Sequence, residues 1–159
     1  MALVLIPSEA VPPPAPVALD LPDGWAISAA PGVTAIAAVP LEAGRFRVNV
    51  VITHVRVQGD ASLADLVAGA RAGLAELADL EGGDDRFVER DGVPAVVREV
   101  AFTDPDSGLG LYQLQLQMLV QVGAGVADLV TLSGTCAGDQ LEYVPMLRSI
   151  AESLRPTVV

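Results

Sequence analysis

A chain of 159 residues is the size of one domain and can bury about 70% of the surface that its unfolded form exposes. Hydrophobic residues make up 52% of it but aromatics only 4%, so the core has to be built from Val, Leu, Ile and Ala. Twenty acidic residues face nine basic ones, all arginine, for a formal charge of −11; this argues against nucleic acid and anionic membranes as partners, because phosphate binding needs clustered positive charge.

The chain opens on Ala2-Leu-Val-Leu-Ile6, an apolar run too short and too lacking in basic residues for a secretory leader, and followed by Pro7. Nowhere does an uncharged apolar run approach the ~20 residues of a membrane span. Pro7, Pro12, Pro13, Pro14, Pro16 and Pro22 predict an extended, polyproline-like arm over residues 1–20. It is read as a tether or surface-hugging arm rather than a packed element, ahead of a single domain over residues 21–159. Asp23-Gly24 turns the chain into a short strand around Trp25–Ser28, and 32–39 reads as a second. The third runs over 45–57, with Phe46, Val48, Val50 and Ile52 on one face and Arg45, Arg47, Asn49 and Thr53 on the other.

Ser62 then predicts the N-cap of an amphipathic helix, with Leu63, Leu66, Val67, Ala70, Leu74, Leu77 and Leu80 at three- and four-residue spacing. Glu81-Gly-Gly-Asp-Asp85 ends it. A meander follows: strands over 86–90 and 93–102 meet at Asp91-Gly92, a strong two-residue hairpin signal, and Asp104-Pro-Asp-Ser-Gly108 turns into the next. That next stretch, Leu111 to Val122, organises the molecule. Leu114, Leu116, Met118, Val120 and Val122 share one parity; Gln113, Gln115, Gln117 and Gln121 share the other. A helix would scatter both sets, whereas a strand gives each its own face. Leu129 to Cys136 is the last strand, with Thr131, Ser133 and Thr135 together on one face. A terminal helix begins near Pro145, which cannot donate a backbone hydrogen bond, and stops at Pro156. The expected fold is α+β: a twisted antiparallel sheet of about six or seven strands with two main helices segregated to one face.

Leu21-Pro-Asp-Gly-Trp25, Asn49-Val-Val on a long strand, the amphipathic helix, Asp91-Gly-Val-Pro-Ala95, the Gln-bearing strand and the terminal helix together resemble the actinobacterial LpqN/LpqT group. That group belongs to the PsbP-like fold shared by the Mog, DcrB and Eag proteins. The resemblance spans roughly residues 20–155 and implies a PsbP-like domain with a non-enzymatic binding role, often toward other proteins. A GC-rich bacterial gene also fits the lysine-free, Ala-, Val- and Gly-rich composition. Typical LpqN relatives are exported lipoproteins. This sequence offers no lipid-accepting cysteine near its start, and the expectation is a cytoplasmic protein.

Chemistry-bearing motifs are sparse. His54 is the only histidine and has no Ser or Asp at a motif spacing. Cys136 is the only cysteine, turned inward by its strand's alternation, and so forms no intrachain disulfide. Asp104, Asp106 and Gly108 begin like a calcium loop, but its twelfth position is Gln115 rather than a glutamate. Gly123-Ala-Gly125 lacks the third glycine of a dinucleotide fingerprint. No metal and no cofactor is expected. The candidate site is instead the second sheet face: Gln113, Gln115, Gln117, Leu119, Thr131, Ser133, Thr135, Arg47, Asn49 and Thr53. Neutral amides and hydroxyls both donate and accept without a charge to desolvate, which suits a peptide backbone or a sugar. The expected function is a chaperone-like adaptor holding a protein partner, such as a secretion-related client, on that face. A second copy of the chain is another occupant, and solvent alone a third. The alternatives are a carrier of an apolar or glycolipid-like ligand between helices and sheet, and, last, an enzyme built around His54.

Overall fold

The computed structural model describes Leu3 and residues 6–157; positions 2, 4 and 5 of the apolar opening run lie outside the described residues. The elements follow as β1 (Val17–Ala18), β2 (Ala26–Ala30), β3 (Val33–Ala38), β4 (Asn49–Gln58), α1 (Leu63–Leu74), β5 (Ala78–Gly82), β6 (Arg86–Arg90), β7 (Val93–Thr103), β8 (Gly110–Gly123), β9 (Val126–Ala137), α2 (Val144–Ser153) and β10 (Arg155–Pro156). The strands β2 to β9 form one antiparallel sheet in the order β2-β3-β4-β9-β8-β7, with β5 and β6 end to end along the outer edge of β7. Eight strands thus occupy seven positions, and the α+β architecture expected from the pattern is present.

Local chemistry sets the connections. Asp91 and Gly92 both have positive φ, 50° and 78°, as the tight turn between β6 and β7 requires. Between β7 and β8 the Asp104 carboxylate accepts the Ser107 N–H at 2.9 Å while Asp104 N–H donates to the Leu109 carbonyl at 2.8 Å. Asp104 therefore closes a hairpin, and its hydrogen bonds from Ser107 hold the carboxyl below its usual range.

Alternation along β8 buries Leu114, Leu116, Met118 and Val120 on one face, where they meet Val50 and Ile52 of β4 and Val130 and Leu132 of β9. Leu147, Ile150, Ala151 and Leu154 of α2 cover this layer. Full burial of each large aliphatic side chain contributes about 1.5–3 kcal/mol. Gly134 lets the helix come down: a Cβ there would sit 3.1 Å from a Leu147 methyl. Pro145 stands in the first turn of α2, after a single 3₁₀ turn over Leu141–Tyr143, where its missing N–H costs nothing.

Helix α1 lies on the opposite face, so the expectation that both helices share one side is overturned. Its Leu63 and Val67 pack on Val96, Leu119, Ala127 and Leu129. The reason is legible in β8, where the amide alternation gives way to Met118-Leu119-Val120 and both parities become apolar. The second face then has an apolar end that needs a cover. Helix α1 also ends at Leu74, short of Leu77 and Leu80; beyond two glycines with weak helix propensity, Ala78–Gly82 takes the free edge of β7 instead. Strand β4 starts at Asn49 rather than at Arg45.

The proline segment hugs the surface rather than hanging as a tether, and it packs more than an extended arm was expected to. Ala15 is buried, Val17, Leu19 and Leu21 rest against the main core, and β1 pairs with β10 after α2. A polar latch fixes it. Asp128, 1% exposed, accepts the Ala15 N–H at 2.7 Å and the Arg56 Nε–H at 2.9 Å. Arg56 also donates to the carbonyls of Pro12 and Pro13, at 2.7 and 3.1 Å. Proline-rich backbone offers carbonyls but few N–H groups, so a guanidinium with five donors is its natural partner.

Candidate functional site

The registers of β4, β9, β8 and β7 place the second face in three cross-strand rows: Asn49–Thr135–Gln113–Val100, Val51–Ser133–Gln115–Arg98, and Thr53–Thr131–Gln117–Val96. Eight of the ten residues singled out from sequence, Asn49, Thr53, Gln113, Gln115, Gln117, Thr131, Ser133 and Thr135, therefore do converge. Two do not. Leu119 lies one row further on and is buried under α1. Arg47 precedes β4 and turns away to donate to the Val39 carbonyl at 2.9 Å. Neither is free to meet a partner on this patch.

The patch is graded in depth. Gln117 and Thr135 are buried, 6% and 7% exposed, while Gln113, Gln115, Asn49, Val51, Thr53 and Ser133 are half-buried. Helix α1 packs on Val96 at the β7 end of the third row and, beyond that row, on Leu119, Ala127 and Leu129; its apolar contacts do not extend to Val51 in the second row.

Sequence reasoning missed Arg98, the largest fully buried side chain among the described residues. Arg98 Nε–H donates to Asp85 Oδ1 at 2.7 Å, and its Nη1–H donates to Gln115 Oε1 at 3.1 Å. The chain of hydrogen bonds continues from Gln115 to Gln113 Oε1 at 2.6 Å and from Gln113 to the Thr135 hydroxyl at 3.1 Å. The face is thus not free of charge, as the amides alone implied; a buried ion pair polarises a chain that crosses two of its rows. The signal was available in the alternation of β7, which puts Arg98 on the parity of Val96 and Val100. Beside this chain, the Ser133 and Thr53 hydroxyls make no side-chain hydrogen bond among the described residues.

His54 projects from the α2 face of β4, half-buried. Its Nε2 lies 2.9 Å from the Ala15 carbonyl and its Nδ1 2.8 Å from the Thr34 hydroxyl. A carbonyl can only accept, so Nε2 donates, and Nδ1 of the neutral ring accepts from Thr34. The histidine belongs to the latch on the proline segment. Cys136 is fully buried and burial pushes its thiol up to about 11, so it packs as a small apolar group. Among the described residues, no three His, Cys, Asp or Glu side chains converge as metal ligands, and no helix is long and apolar enough to cross a membrane.

No protein-family model matches the chain, and no curated protein matches its sequence. Solved structures do match its fold. LpqN of Mycobacterium tuberculosis, involved in cell envelope biogenesis, superposes with a TM-score of 0.74 at 17% identity, over 89% of this chain and 83% of that one. PA94 of Pseudomonas aeruginosa, a protein of unknown function, gives 0.63 at 18% identity, over 90% and 99%. Cyanobacterial PsbP (CyanoP) of Synechocystis gives 0.60 at 14% identity, over 99% and 98%. At these identities the likeness concerns the fold, and the fold is LpqN- and PsbP-like.

Proposed function

We propose that this protein is a cytoplasmic, non-enzymatic, chaperone-like adaptor that holds an extended segment of a protein partner on the part of its second sheet face that α1 does not pack on. One observation carries the reading: three rows of amide and hydroxyl groups run across β4, β9 and β8, and the apolar contacts of α1 do not extend to Val51 among them. Val51 and Val55, the latter 53% exposed, add apolar contact beside free hydroxyls. Such a surface can satisfy the N–H and C=O groups of a peptide without desolvating a charge of its own.

A ligand enclosed inside the core between α2 and the sheet finds less support, because Leu147, Ile150 and Leu154 fill that layer; what opens beside α2 is a recess at its margin. The test is site-specific photocrosslinking in host cells, with the reactive residue placed at Val51, at Ser133, or at the control position Ile27. One protein species joined to positions 51 and 133 but not to 27, and lost in a Thr53→Glu chain, supports the assignment. Equal labelling at all three positions, or dimers of the chain alone, overturns it.

A further inference from the structure

A recess of ≈ 510 Å³ opens beside α2, on the opposite face from the amide rows. Its floor is the exposed margin of Val97, Leu114 and Ala151, 6%, 2% and 2% exposed, and its walls carry Arg86, Arg90 and Arg148 together with Asp84, Glu99 and Glu152. Three of the nine arginines of a strongly acidic chain therefore meet at one concavity. They got there by alternation: Arg86 and Arg90 flank Val88 on β6, which packs on the main core, so all three point to the α2 side.

The nine arginines divide sharply by partner. Arg45, Arg56, Arg71, Arg98, Arg148 and Arg155 each bond a carboxylate, and Arg47 bonds a carbonyl. Arg86 and Arg90 alone make no side-chain hydrogen bond or ion pair among the described residues, and Arg90 Nε is sealed from solvent without a partner. Both line the recess. The acids nearby bond other arginines: Glu99 is engaged by Arg148 through two bonds of 2.6 and 3.0 Å and meets Arg86 only through space, and Asp84 faces Arg71 at 3.8 Å. Arg148, which holds Glu99 below its usual range, keeps that carboxylate occupied. Glu152, exposed on α2, is left against two free guanidinium groups.

We propose that this recess binds an amphipathic organic anion, its carboxylate or phosphate head forked by Arg86 and Arg90 and its apolar body laid on Val97, Leu114 and Ala151. A planar guanidinium matches a carboxylate or phosphate in a bidentate fashion, and an aliphatic floor with a few convergent polar groups is how small-ligand sites are built. The site is independent of the amide face, and the two readings stand or fall separately.

Calorimetric titration with dodecanoate and with dodecyl phosphate, against dodecan-1-ol and inorganic phosphate, decides it. At least one of the two amphiphilic anions is expected to bind one per chain, and whichever binds names the head group. Arg86→Gln and Arg90→Gln are each expected to weaken it about tenfold or more, as for a charged hydrogen bond, with circular dichroism unchanged. Ser133→Glu, on the other face, leaves the affinity as it was. Failure of both anions to bind, equal binding of dodecan-1-ol or of inorganic phosphate, or full affinity in both arginine variants overturns the proposal.

Discussion

Arg56 on the inner strand β4 and Arg90 on the edge strand β6 rise from the same face of the same sheet, and their surroundings differ in kind. Around Arg56 the chain supplies an acceptor for every orientation of the guanidinium: Asp128 Oδ1 and Oδ2, and the carbonyls of Pro12 and Pro13. Around Arg90 it supplies none among the described residues, although Nε is buried. Arg98, on the other face, is bonded through Nε and Nη1 to Asp85 and Gln115, while its buried Nη2 meets Asp85 as an ion pair at 2.6 Å without a hydrogen bond of its own. A satisfied arginine marks where the fold closes on itself; an unsatisfied one in a recess marks where something from outside completes it. If the distinction holds, substitutions at the first kind cost stability and those at the second kind do not.

The largest cost is expected at Asp85. Asp85→Ala leaves the Arg98 guanidinium, 1% exposed, without its carboxylate, and breaking a buried pair this way costs about 3–5 kcal/mol. Arg98→Met should cost clearly less, because Asp85 keeps Arg71 at 3.4 Å and the methionine fills the space. Denaturant unfolding of both variants checks the order; equal losses would show that packing, not charge pairing, sets the penalty.

Asp128→Ala ranks next, at about 2–3 kcal/mol by the same reasoning, reduced because Arg56 remains more than one-third exposed and can rehydrate. Its loss also orphans the Ala15 N–H. The added readout is cleavage: limited proteolysis between residues 12 and 21 should appear in Asp128→Ala and not in Asp85→Ala. Cleavage in neither would detach the latch from the arm.

These constellations also show what could be read from the sequence. Alternation in β4, β8 and β9 placed eight face residues together, because a period of two is local to each strand. The hairpins at Asp91-Gly92 and Asp104–Gly108 were equally local. What escaped was pairing between distant segments: Arg98 with Asp85 around a sheet edge, and Asp128 with Ala15 across 113 positions. A proline-rich stretch looks free because it forms no ladder of its own, and only the opposing Arg56 and His54 reveal that its carbonyls are held. Likewise α1 was placed on the wrong side because its stripe specifies an apolar cover but not which one. The recess arginines were visible as residues, while the absence of partners for them exists only in three dimensions.

A smaller effect separates pairing from packing at Asp128. Burial alone would raise its carboxyl, but the hydrogen bonds from Arg56 and Ala15 outweigh it, and the group is held below its usual range. A depressed folded value means the stabilisation is complete above the unfolded pKa of about 3.9 and is lost as pH falls through the folded one. The stability gap between wild type and Asp128→Asn should therefore be constant from pH 7 to about 5 and shrink below about 4. A gap independent of pH in urea titrations would assign the penalty to shape rather than charge.

The smallest effect is the most discriminating. Arg90→Gln removes a guanidinium that contacts no acceptor among the described residues, and with it a buried Nε–H that has no partner. Leaving a buried donor unmade costs about 1–3 kcal/mol, so its removal offsets the lost packing of the aliphatic stem against the rim. The unfolding free energy is expected within about 0.5 kcal/mol of wild type, the range of ordinary surface changes, or above it. A loss of about 2 kcal/mol or more would mean that Arg90 is part of the fold's own closure, as Arg56 is, and the contrast between the two arginines would dissolve. A neutral or stabilising outcome leaves the chain tolerating an unpaired charge that its own folding does not require.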